Sequence, residues 1–385
     1  MPNGWSIAPL SDLVAADAPI GYGIVQPGPS VRDGVPMIAI RDLLNVMPDR
    51  LHRTSATIDA NYRRSRVLPG DVLISVKGTT GRTGIVPANL VANISRDVAR
   101  LCFRRDQVPG YWLQLLRSEH AQRILDQARV GSTRQELSIG TLRTLQFSYP
   151  AGPEQRLISD RLADVDRLLG ALARLIAKKR DVKQGMMQDL LAGRRRLGGF
   201  SSPWVERRIS EVADLAKGSQ LGRAQMDAGA AIPVWNGGIV PSGFTDTSNI
   251  RRSVVTISEG GNSCGWVGRP DGEFWLGGHC YALDPKSDGH SVAFLYHRLK
   301  AVEPALMALR VGSGLPNIQK KRLGGFALAM PTDPHEAAVI AGIFDDVDRE
   351  ITALLHRLES ARAIKTGMMQ ELLTGRTRLP MEVAS

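Results

Sequence analysis

The feature that most constrains the fold of this 385-residue chain is a long helical sequence pattern that occurs twice. Residues 154–197 align without a gap on residues 336–379, and 20 of the 44 paired positions are identical. Duplication explains a match of this length, and a duplicated unit usually serves a repeated task or a symmetric partner. We therefore predict that the chain contains two copies of one structural plan.

The repeat extends beyond these helical segments. The openings at Trp5 and Trp204 share one order of hydrophobic, polar and acidic residues, and the residues just before each helix also correspond. From about 20 to 129 and from about 217 to 310, however, the two copies show no convincing sequence match. The sequence thus predicts two globular segments of different sequence, each followed by a long helix.

In both helical segments, apolar residues recur alternately four and three positions apart, which is a heptad pattern. So narrow an apolar stripe favours a helical partner. We expect the two helices to pair antiparallel, with the globular parts at opposite ends; the alternative is that each helix packs on its own globular part. The predicted seam residues are Ile158, Leu162, Val165, Leu169, Leu172, Ile176, Ile340, Phe344, Val347, Ile351, Leu354 and Leu358.

Local signals mark the ends of both helices. Asp333 before Pro334 is a typical cap and first-turn pair, and Pro153 stands at the start of the first helix. Gly193 and Gly375 occupy positions where C-terminal caps are expected. We predict that the helices end there.

Two features interrupt the heptad pattern near the end of each helix. Gly185 and Gly367 lie inside the helical pattern, where each glycine costs about 1 kcal/mol relative to alanine. Close helix approach or a local break would explain them. Lys179, Lys183 and Lys365 occupy seam positions, so we expect the seam to fray or to open toward another subunit there.

The composition is that of a folded, basic protein. A net charge of +11 and a sequence pI near 9.9 favour a polyanionic partner, although a well-solvated, arginine-rich surface is an equal alternative. No apolar run approaches the roughly 18 residues that span a bilayer, and the first residues lack signal-peptide order. Cys102, Cys264 and Cys280 form no CxxC pair, so we expect a reducing cytoplasm and no membrane.

If the polyanionic partner is DNA, residue types that could contact it cluster in the first globular segment. Arginine or lysine reads guanine, asparagine or glutamine reads adenine, and further basic and hydroxyl groups bind phosphates. In this segment such residues stand before a strand-like run and in the glycine-rich loop after it. An ordinary hairpin turn would also explain the loop. The candidates are Arg63, Arg64, Arg66, Lys77, Thr79, Thr80 and Arg82, followed by Arg134 and Gln135.

In the second globular segment, glycine-rich or polar loops present similar donors. Asn236 and Asn262 are suited to adenine, but asparagine beside glycine also favours a turn by itself. The candidates are Lys217, Gln220, Arg223, Asn236, Asn262, Asn317, Gln319, Lys320 and Lys321.

Motifs for catalysis are absent from the sequence. It contains neither the Asn/Asp-Pro-Pro-aromatic motif of a DNA methyltransferase nor a phosphate loop that ends in Lys-Ser/Thr. His279 and Cys280, together with Cys264, have poor spacing for zinc. We expect this chain to carry out no chemistry and to hold no metal or cofactor.

The motifs resemble those of the specificity subunit of type I restriction-modification systems, over essentially the whole chain. The most specific are PAGPEQRLI from Pro150, the DVDR tetrapeptides at Asp164 and Asp346, and the endings KQGMMQDLLAGRRR and KTGMMQELLTGRTR. The second copy has Ala337 where the first has Gln155, which weakens its motif slightly and leaves the architecture unchanged.

The resemblance implies an α+β fold with two target recognition domains, at 1–152 and 200–333, and spacer helices at 153–199 and 334–380 that form an antiparallel coiled coil. An internal pseudo-two-fold repeat would relate the two halves. Each recognition domain would read one half of a bipartite, asymmetric DNA duplex, and the helices would set the gap and dock two methyltransferase subunits. Restriction or translocase subunits would join this core, and S-adenosylmethionine, ATP and Mg²⁺ would bind in the partner subunits.

Two other interpretations stay open. One is a non-DNA scaffold in which a coiled coil holds two protein-binding domains apart; it would tolerate salt, whereas binding through phosphates weakens steeply with salt. The other is a recognition subunit of a related restriction enzyme outside type I.

Overall fold

The computed structural model divides the chain into two compact units. The first comprises Met1–Leu172 and Arg357–Ser385, and the second comprises Ala173–His356. Each unit therefore contains one globular part and a portion of both long helices, whereas the sequence-based boundaries set each helix apart. The residues that the structure describes are 2–130, 136–286, 290–312, 314 and 316–380.

Three sheets form the globular part of the first unit. Its strands are β1 (Ser6–Pro9), β2 (Gly21–Tyr22), β3 (Val35–Ile38), β4 (His52–Thr54), β5 (Val72–Ser75), β6 (Thr83–Ile85), β7 (Asn93–Ile94), β8 (Val98–Leu101) and β9 (Gln146–Tyr149). β1 pairs with β9, the order β2-β8-β5-β6 makes an antiparallel sheet, and β4-β3-β7 makes a third sheet in which β3 and β7 are parallel.

Short helices lie between the strands of this unit, and all but the second pack on the four-stranded sheet in one core. They are α1 (Leu10–Leu13), α2 (Ala56–Asn61), α3 (Pro109–Arg117), α4 (Glu119–Gln127) and α5 (Ile139–Thr144). Proline at the first position and Ser118 at the cap of the next helix fit the start signals of α3 and α4. The fully buried Trp112 of α3 stacks on Phe103, with ring centroids 5.0 Å apart, at the centre of the core.

The first long helix, α6 (Gly152–Leu190), runs from the first unit into the second. The globular part of the second unit contains β10 (Trp204–Arg208), β11 (Ala213–Lys217), β12 (Ile232–Trp235), β13 (Gly243–Thr245), β14 (Val255–Ser258), β15 (Val267–Gly268), β16 (Trp275–Leu276), β17 (Cys280–Pro285) and β18 (Ala327–Pro331). Its short helices are α7 (Ile209–Val212), α8 (Val292–Ala301), α9 (Glu303–Met307) and α10 (Lys320–Gly324), and the chain continues into the long helix α11 (Pro334–Leu372).

The second unit repeats the sheet topology of the first strand by strand. β10 pairs with β18, the order β11-β17-β14-β15 is antiparallel, and in β13-β12-β16 the pair β12 and β16 is parallel. The absence of a sequence match between the globular interiors therefore did not indicate different folds. Each strand is only two to six residues long, and its buried positions accept any apolar residue that fits, so the shared topology leaves little trace in the sequence.

The ends predicted for the long helices are confirmed. α6 ends at Leu190 and α11 at Leu372, each three residues before the predicted capping glycine. Gly193 and Gly375 have φ angles of +67° and +69°, in the left-handed region that side chains other than glycine rarely adopt. Each glycine also lies against the tryptophan that opens a globular part, Trp204 or Trp5 respectively.

In each unit the two long helices run antiparallel. In the first unit Lys365 Nζ lies 2.7 Å from Asp166 Oδ1. In the second unit Lys179 Nζ lies 2.7 Å from Glu350 Oε2, and Lys183 pairs with Asp348. The expectation that the seam frays at its lysines is therefore wrong, because each lysine meets a carboxylate of the other helix. All twelve predicted seam residues are buried or half-buried.

In each unit an ion pair to a buried glutamate joins the start of one long helix to the end of the other. In the first unit Arg378 donates from Nε and Nη2 to Glu154 at 3.0 and 2.6 Å. In the second, Arg196 donates to Glu336 at 2.6 and 2.7 Å, and Trp204 Nε1 adds a bond of 3.1 Å to the same carboxylate. Because Glu154 and Glu336 are 3% and 0% exposed, they need these partners.

The reason expected for Gly185 and Gly367 is not found. Both long helices are continuous through these positions. A Cβ atom added to either glycine would meet no atom of the described chain within 4 Å. Neither a break nor close packing of the chain on itself accounts for them.

The ion pair of the second unit gives a stability prediction. Arg196→Met leaves the Glu336 carboxylate buried without a counter-charge, so we expect the free energy of unfolding to fall by about 3 kcal/mol. Arg195→Met, at an exposed neighbouring arginine, should change it by less than about 0.5 kcal/mol. Urea denaturation of both variants and the wild type measures the difference, and equal midpoints would contradict this role of the pair.

Candidate nucleic-acid interface

Residues that the sequence selected in three separate loops of the second unit surround one cavity. The cavity has a volume of about 700 Å³ and opens at one end of the four-stranded sheet. Lys217, Gln220, Asn236 and Asn317 line it, and Glu259 and His279 stand between them. The structure thus brings together four of the predicted donors.

The strand register explains this convergence. Lys217 is the last residue of β11 and pairs with Tyr281, while the end of β14 at Ser258 pairs with Cys280. Antiparallel pairing therefore places the exit from β11, the loop after β14 and the entry to β17 at the same end of the sheet. Asn317 reaches this end because its backbone bridges to Gly260.

The loop after β14 is held in one conformation by glycines and hydroxyl groups. Gly261 and Gly265 have φ angles of +76° and +92°, and a Cβ atom on Gly265 would lie 2.7 Å from the Cα atom of Met307. The hydroxyls of Ser258 and Ser263 donate to one backbone carbonyl, that of Gly237. These contacts leave Asn262 exposed near the tip of the loop.

A carboxylate organises the positive charge of this face. Glu259 Oε1 lies 2.7 Å from Lys217 Nζ and accepts a hydrogen bond of 2.8 Å from the Tyr281 hydroxyl. Burial and this carboxylate raise the pKa of Tyr281, which therefore stays a neutral donor. Because Glu259 fixes its ammonium group, Lys217 presents a donor at a defined point of the face.

Side-chain amides and an imidazole complete the cavity. Asn236 Oδ1 accepts a bond of 3.1 Å from the His279 backbone, so this asparagine also serves its turn. Gln220 Nε2 lies 3.4 Å from His279 Nε2. The sequence analysis missed His279 and Glu259 as interface residues. It considered His279 only as a poor zinc ligand, and an acidic residue such as Glu259 is not expected to face DNA.

The other candidates of this segment lie elsewhere in the second unit. Lys320 and Lys321 line a separate cavity of about 560 Å³ together with Arg208. Gln319 is exposed just before α10. The side chain of Arg223 lies outside the described part of the structure.

In the first unit, the glycine-rich loop after β5 carries the corresponding face. Lys77 Nζ pairs with Glu136 Oε1 at 2.9 Å, and Thr79 and Arg82 are exposed. Thr80 is only 6% exposed, so its selection as a contact residue is not supported: the turn directs this side chain inward. Gln122 donates to the Gly81 carbonyl at 3.0 Å and fixes the loop against α4.

The two loops occupy the same place in the repeated fold. Lys77 and Val130 both bridge to Glu136, and Gly260 and Val311 both bridge to Asn317 in the same pattern. Gly78 and Gly81 have positive φ angles, as the two glycines of the second loop have. Two motifs chosen independently in the sequence are therefore one structural feature.

The arginines before β5 separate into two roles. Arg63 and Arg64 are exposed and line a cavity of about 950 Å³ together with Arg100 and Arg143. Arg66 instead donates from Nε to Asp59 at 2.9 Å. Asp59 is fully buried, so we assign Arg66 a structural role. Arg134 and Gln135 lie outside the described residues.

The pKa of Asp59 reports this pairing. Burial by itself raises the pKa of its carboxyl group, but the hydrogen bonds from Arg66 and Asn93 and the charge of Arg66 outweigh it, so the pKa lies below its usual value. Asp59 is thus ionised in the folded chain near neutral pH.

No group of three or more histidine, cysteine, aspartate or glutamate side chains suited to a metal ion occurs within the described ranges. Burial raises the pKa of Cys280 to about 11 and also raises that of Cys264, so both thiols are protonated at neutral pH. Among the helices of the described residues, none is long and apolar enough to cross a membrane.

Two copies of one α+β unit, each with a face of amide and cationic donors, are typical of a protein that contacts DNA at two places. The sequence matches the family described as the type I restriction modification DNA specificity domain, over residues 33–178 and 201–361. Each match covers most of one repeat. The chain belongs to this family.

Known relatives and a solved structure agree with this assignment. The chain is similar to the specificity subunit of the Escherichia coli type I restriction enzyme EcoBI, with 27% identity over 230 residues, 59% of this chain and 48% of that protein. A putative type I specificity subunit of Mycoplasma genitalium is 27% identical over 174 residues, 44% of this chain and 45% of that protein. The matches span about half the length of these curated relatives.

The crystal structure of a type I restriction-modification S subunit from M. genitalium has the same fold. It superposes with a TM-score of 0.70 and 17% identity over 98% of this chain and 96% of that chain. The predicted α+β class with two recognition domains is confirmed.

The pairing of Arg66 with Asp59 predicts an acid-dependent stability. Because the pKa of Asp59 is lower in the folded chain, its ionised form stabilises the fold above the unfolded-state pKa of about 4, and this contribution is lost as pH falls through the folded-state value. In Arg66→Met we expect lower stability at pH 7 and a weaker loss below pH 4. Arg64→Met, the control at an exposed arginine, should follow the wild type. Urea midpoints between pH 3 and 7 make the comparison; identical curves for all three proteins would argue against the assignment.

Proposed function

We propose that this chain is the DNA sequence-recognition subunit of a type I restriction-modification complex, and that each unit reads one half of a bipartite, asymmetric duplex target. One observation carries the proposal: the two units place their donor-rich faces at the same point of the same fold but build them from different side chains.

The strand register defines which residues correspond. Lys217 of β11 pairs with Tyr281 of β17, and the equivalent pair in the first unit is Tyr22 with Ala99. Glu259 follows β14 where Val76 follows β5. Lysine, tyrosine and glutamate in one unit thus stand where the other has tyrosine, alanine and valine, and such different side chains present different patterns of donors and acceptors to base edges in the major groove. Two unlike faces would therefore read two unlike half-sites.

Exposed cations outside these faces suit contacts with the DNA backbone. They line separate cavities, which contain Arg63 and Arg64 in the first unit and Lys320 and Lys321 in the second. Phosphate contacts of this kind fix the register and orientation of a protein on DNA and carry no sequence information by themselves.

The repeated helices serve the rest of the complex in this proposal. They set the gap between half-sites and dock two methyltransferase subunits, and restriction or translocase subunits join this core in the cytoplasm. S-adenosylmethionine, ATP and Mg²⁺ bind in those partners, and this chain carries out no chemistry. The second candidate is a scaffold in which the paired helices hold two protein-binding domains apart.

Salt dependence tests the DNA proposal at one residue. Lys320→Met removes an exposed cation assigned to a phosphate contact, so with the assembled complex we expect weaker duplex binding and a slope of log Kd against log salt that is smaller by about 1. Lys178→Met, at an exposed lysine of α6, is the control and should keep the wild-type slope. A protein scaffold would bind its partner equally well in both variants and at all salt concentrations.

Segment exchange tests the division of labour. Replacing residues 20–150 with the corresponding segment of a related specificity subunit should change one half of the methylated motif and keep the other half and the gap. Sequencing of methylated sites in the host measures both halves of the motif and the gap between them. A changed gap with unchanged bases would contradict the assignment of reading to this segment.

A further inference from the structure

Each unit contains a cavity where the end of a long helix meets a junction between two short helices. In the first unit it has a volume of about 470 Å³ and lies between α11 and the junction of α3 with α4. In the second unit it has a volume of about 670 Å³ and lies between α6 and the junction of α8 with α9. We call these the twin cavities.

The helix sides of the twin cavities share three residue types. Met369, Gln370 and Arg376 contribute in the first unit and Met187, Gln188 and Arg194 in the second, whereas Thr366 and Thr374 of the first stand where the second has Gln184 and Ala192. The three shared types have the same spacing in the repeat.

Packing within the chain does not explain this identity. A buried side chain is retained in both copies because the core requires it, but Gln188, Gln370, Arg194 and Arg376 are all exposed. The recognition faces, which are also at the surface, differ between the units. Three residue types kept at one surface beside another surface that differs indicate that the twin cavities contact the same ligand twice.

The helix-interior glycines support an outside contact at the same place. Gly185 and Gly367 lie within a few residues of the cavity walls, and each weakens its helix relative to alanine. The space beside them is open in the described chain. Glycine at such a position permits the backbone of another molecule to approach closely. Its presence in both copies matches the repeated cavity.

Each of the twin cavities also holds an arginine of low exposure, and the glutamate in each lining, Glu119 or Glu303, pairs with a different neighbouring cation. Arg298 lines the second cavity, is 7% exposed and donates from Nε to the Ala329 carbonyl at 2.9 Å. Arg117 lines the first and donates to Thr83 Oγ1 at 3.2 Å. Burial lowers the pKa of Arg298 to about 10 and also lowers that of Arg117. Neither arginine forms an ion pair among the described residues, so both favour an anionic ligand.

We propose that each of the twin cavities binds the same acidic segment of one partner protein, which would provide the two docking sites that the proposed function requires. Carboxylates of the segment pair with Arg194 or Arg376, an apolar side chain packs on Met187 or Met369, and the backbone passes the glycine beside each cavity. The inference rests on the proposed function, in which this partner is the methyltransferase subunit.

DNA phosphate is the other anion that such arginines bind. A phosphate contact needs no methionine wall and no glycine clearance, and both features occur in both copies. The observations therefore favour a protein segment, and phosphate binding becomes an outcome of the test.

The first experiment uses the glycines. Gly185→Ala and Gly367→Ala add a methyl group where the partner backbone is expected, while alanine favours the helix. Each variant should unfold at a higher temperature than the wild type, yet bind one methyltransferase subunit instead of two. Gly342→Ala is the matched control: like Gly185 and Gly367, this glycine lies inside a long helix with open space beside it, but the other copy has Asp160 there. It should be equally stabilised and should bind two.

Stoichiometry is measured by mass photometry of the full chain mixed with the methyltransferase subunit of its own host. The double glycine variant should bind none at concentrations that saturate the wild type. Two bound subunits with wild-type Kd in all variants would overturn the proposal.

Charge reversal separates protein from DNA as the ligand. Arg194→Glu and Arg376→Glu should each weaken binding of one methyltransferase subunit at least tenfold, and Arg174→Glu, at an exposed arginine of α6 outside the cavities, should not. Loss of duplex binding with both subunits still bound would instead assign the cavities to phosphate. Failure of the proposed function has a different signature, which is no sequence preference in the wild-type complex whatever the stoichiometry.

Discussion

The arrangement of each unit depends on the ion pair between a buried glutamate at the start of one long helix and an arginine after the end of the other. Glu336 is fully buried, so removing the Arg196 guanidinium would leave an uncompensated charge in the interior. The same guanidinium donates to the Ser202 carbonyl at 2.7 Å, and Arg378 donates in the same way to the Asn3 carbonyl at 3.0 Å. One pair thus fixes helix register and the entry into the globular part, which interchangeable apolar seam residues would not fix alone.

Features with local causes could be predicted from the sequence. The heptad pattern placed both long helices, and Gly193 and Gly375 marked their ends because a left-handed residue after a helix favours glycine. The duplication predicted one plan for both halves, but the strand order of the globular parts was not predicted, because the register of short strands is set by hydrogen bonds between distant segments. The pairing of seam lysines such as Lys183 was missed for a similar reason: its partner Asp348 lies on the other helix.

The candidate interface shows the same division. Glycine-rich loops with donors were found from sequence, and the structure places Lys77 and Gly260 at equivalent points. Which side of a loop faces outward depends on the packing beneath it, so Thr80 could not be excluded in advance. Glu259 was missed because an acidic residue is not expected to face DNA, and only its contact with Lys217 reveals that it orients a donor.

The central claim is that two unlike faces read two half-sites at a fixed separation, and selection from a random duplex library tests it most directly. The chain would be purified with its methyltransferase partners, and the bound duplexes would be sequenced. The account predicts enrichment of two short, different blocks at one constant gap. A single block, two identical blocks, or no enrichment from a stable complex would contradict it.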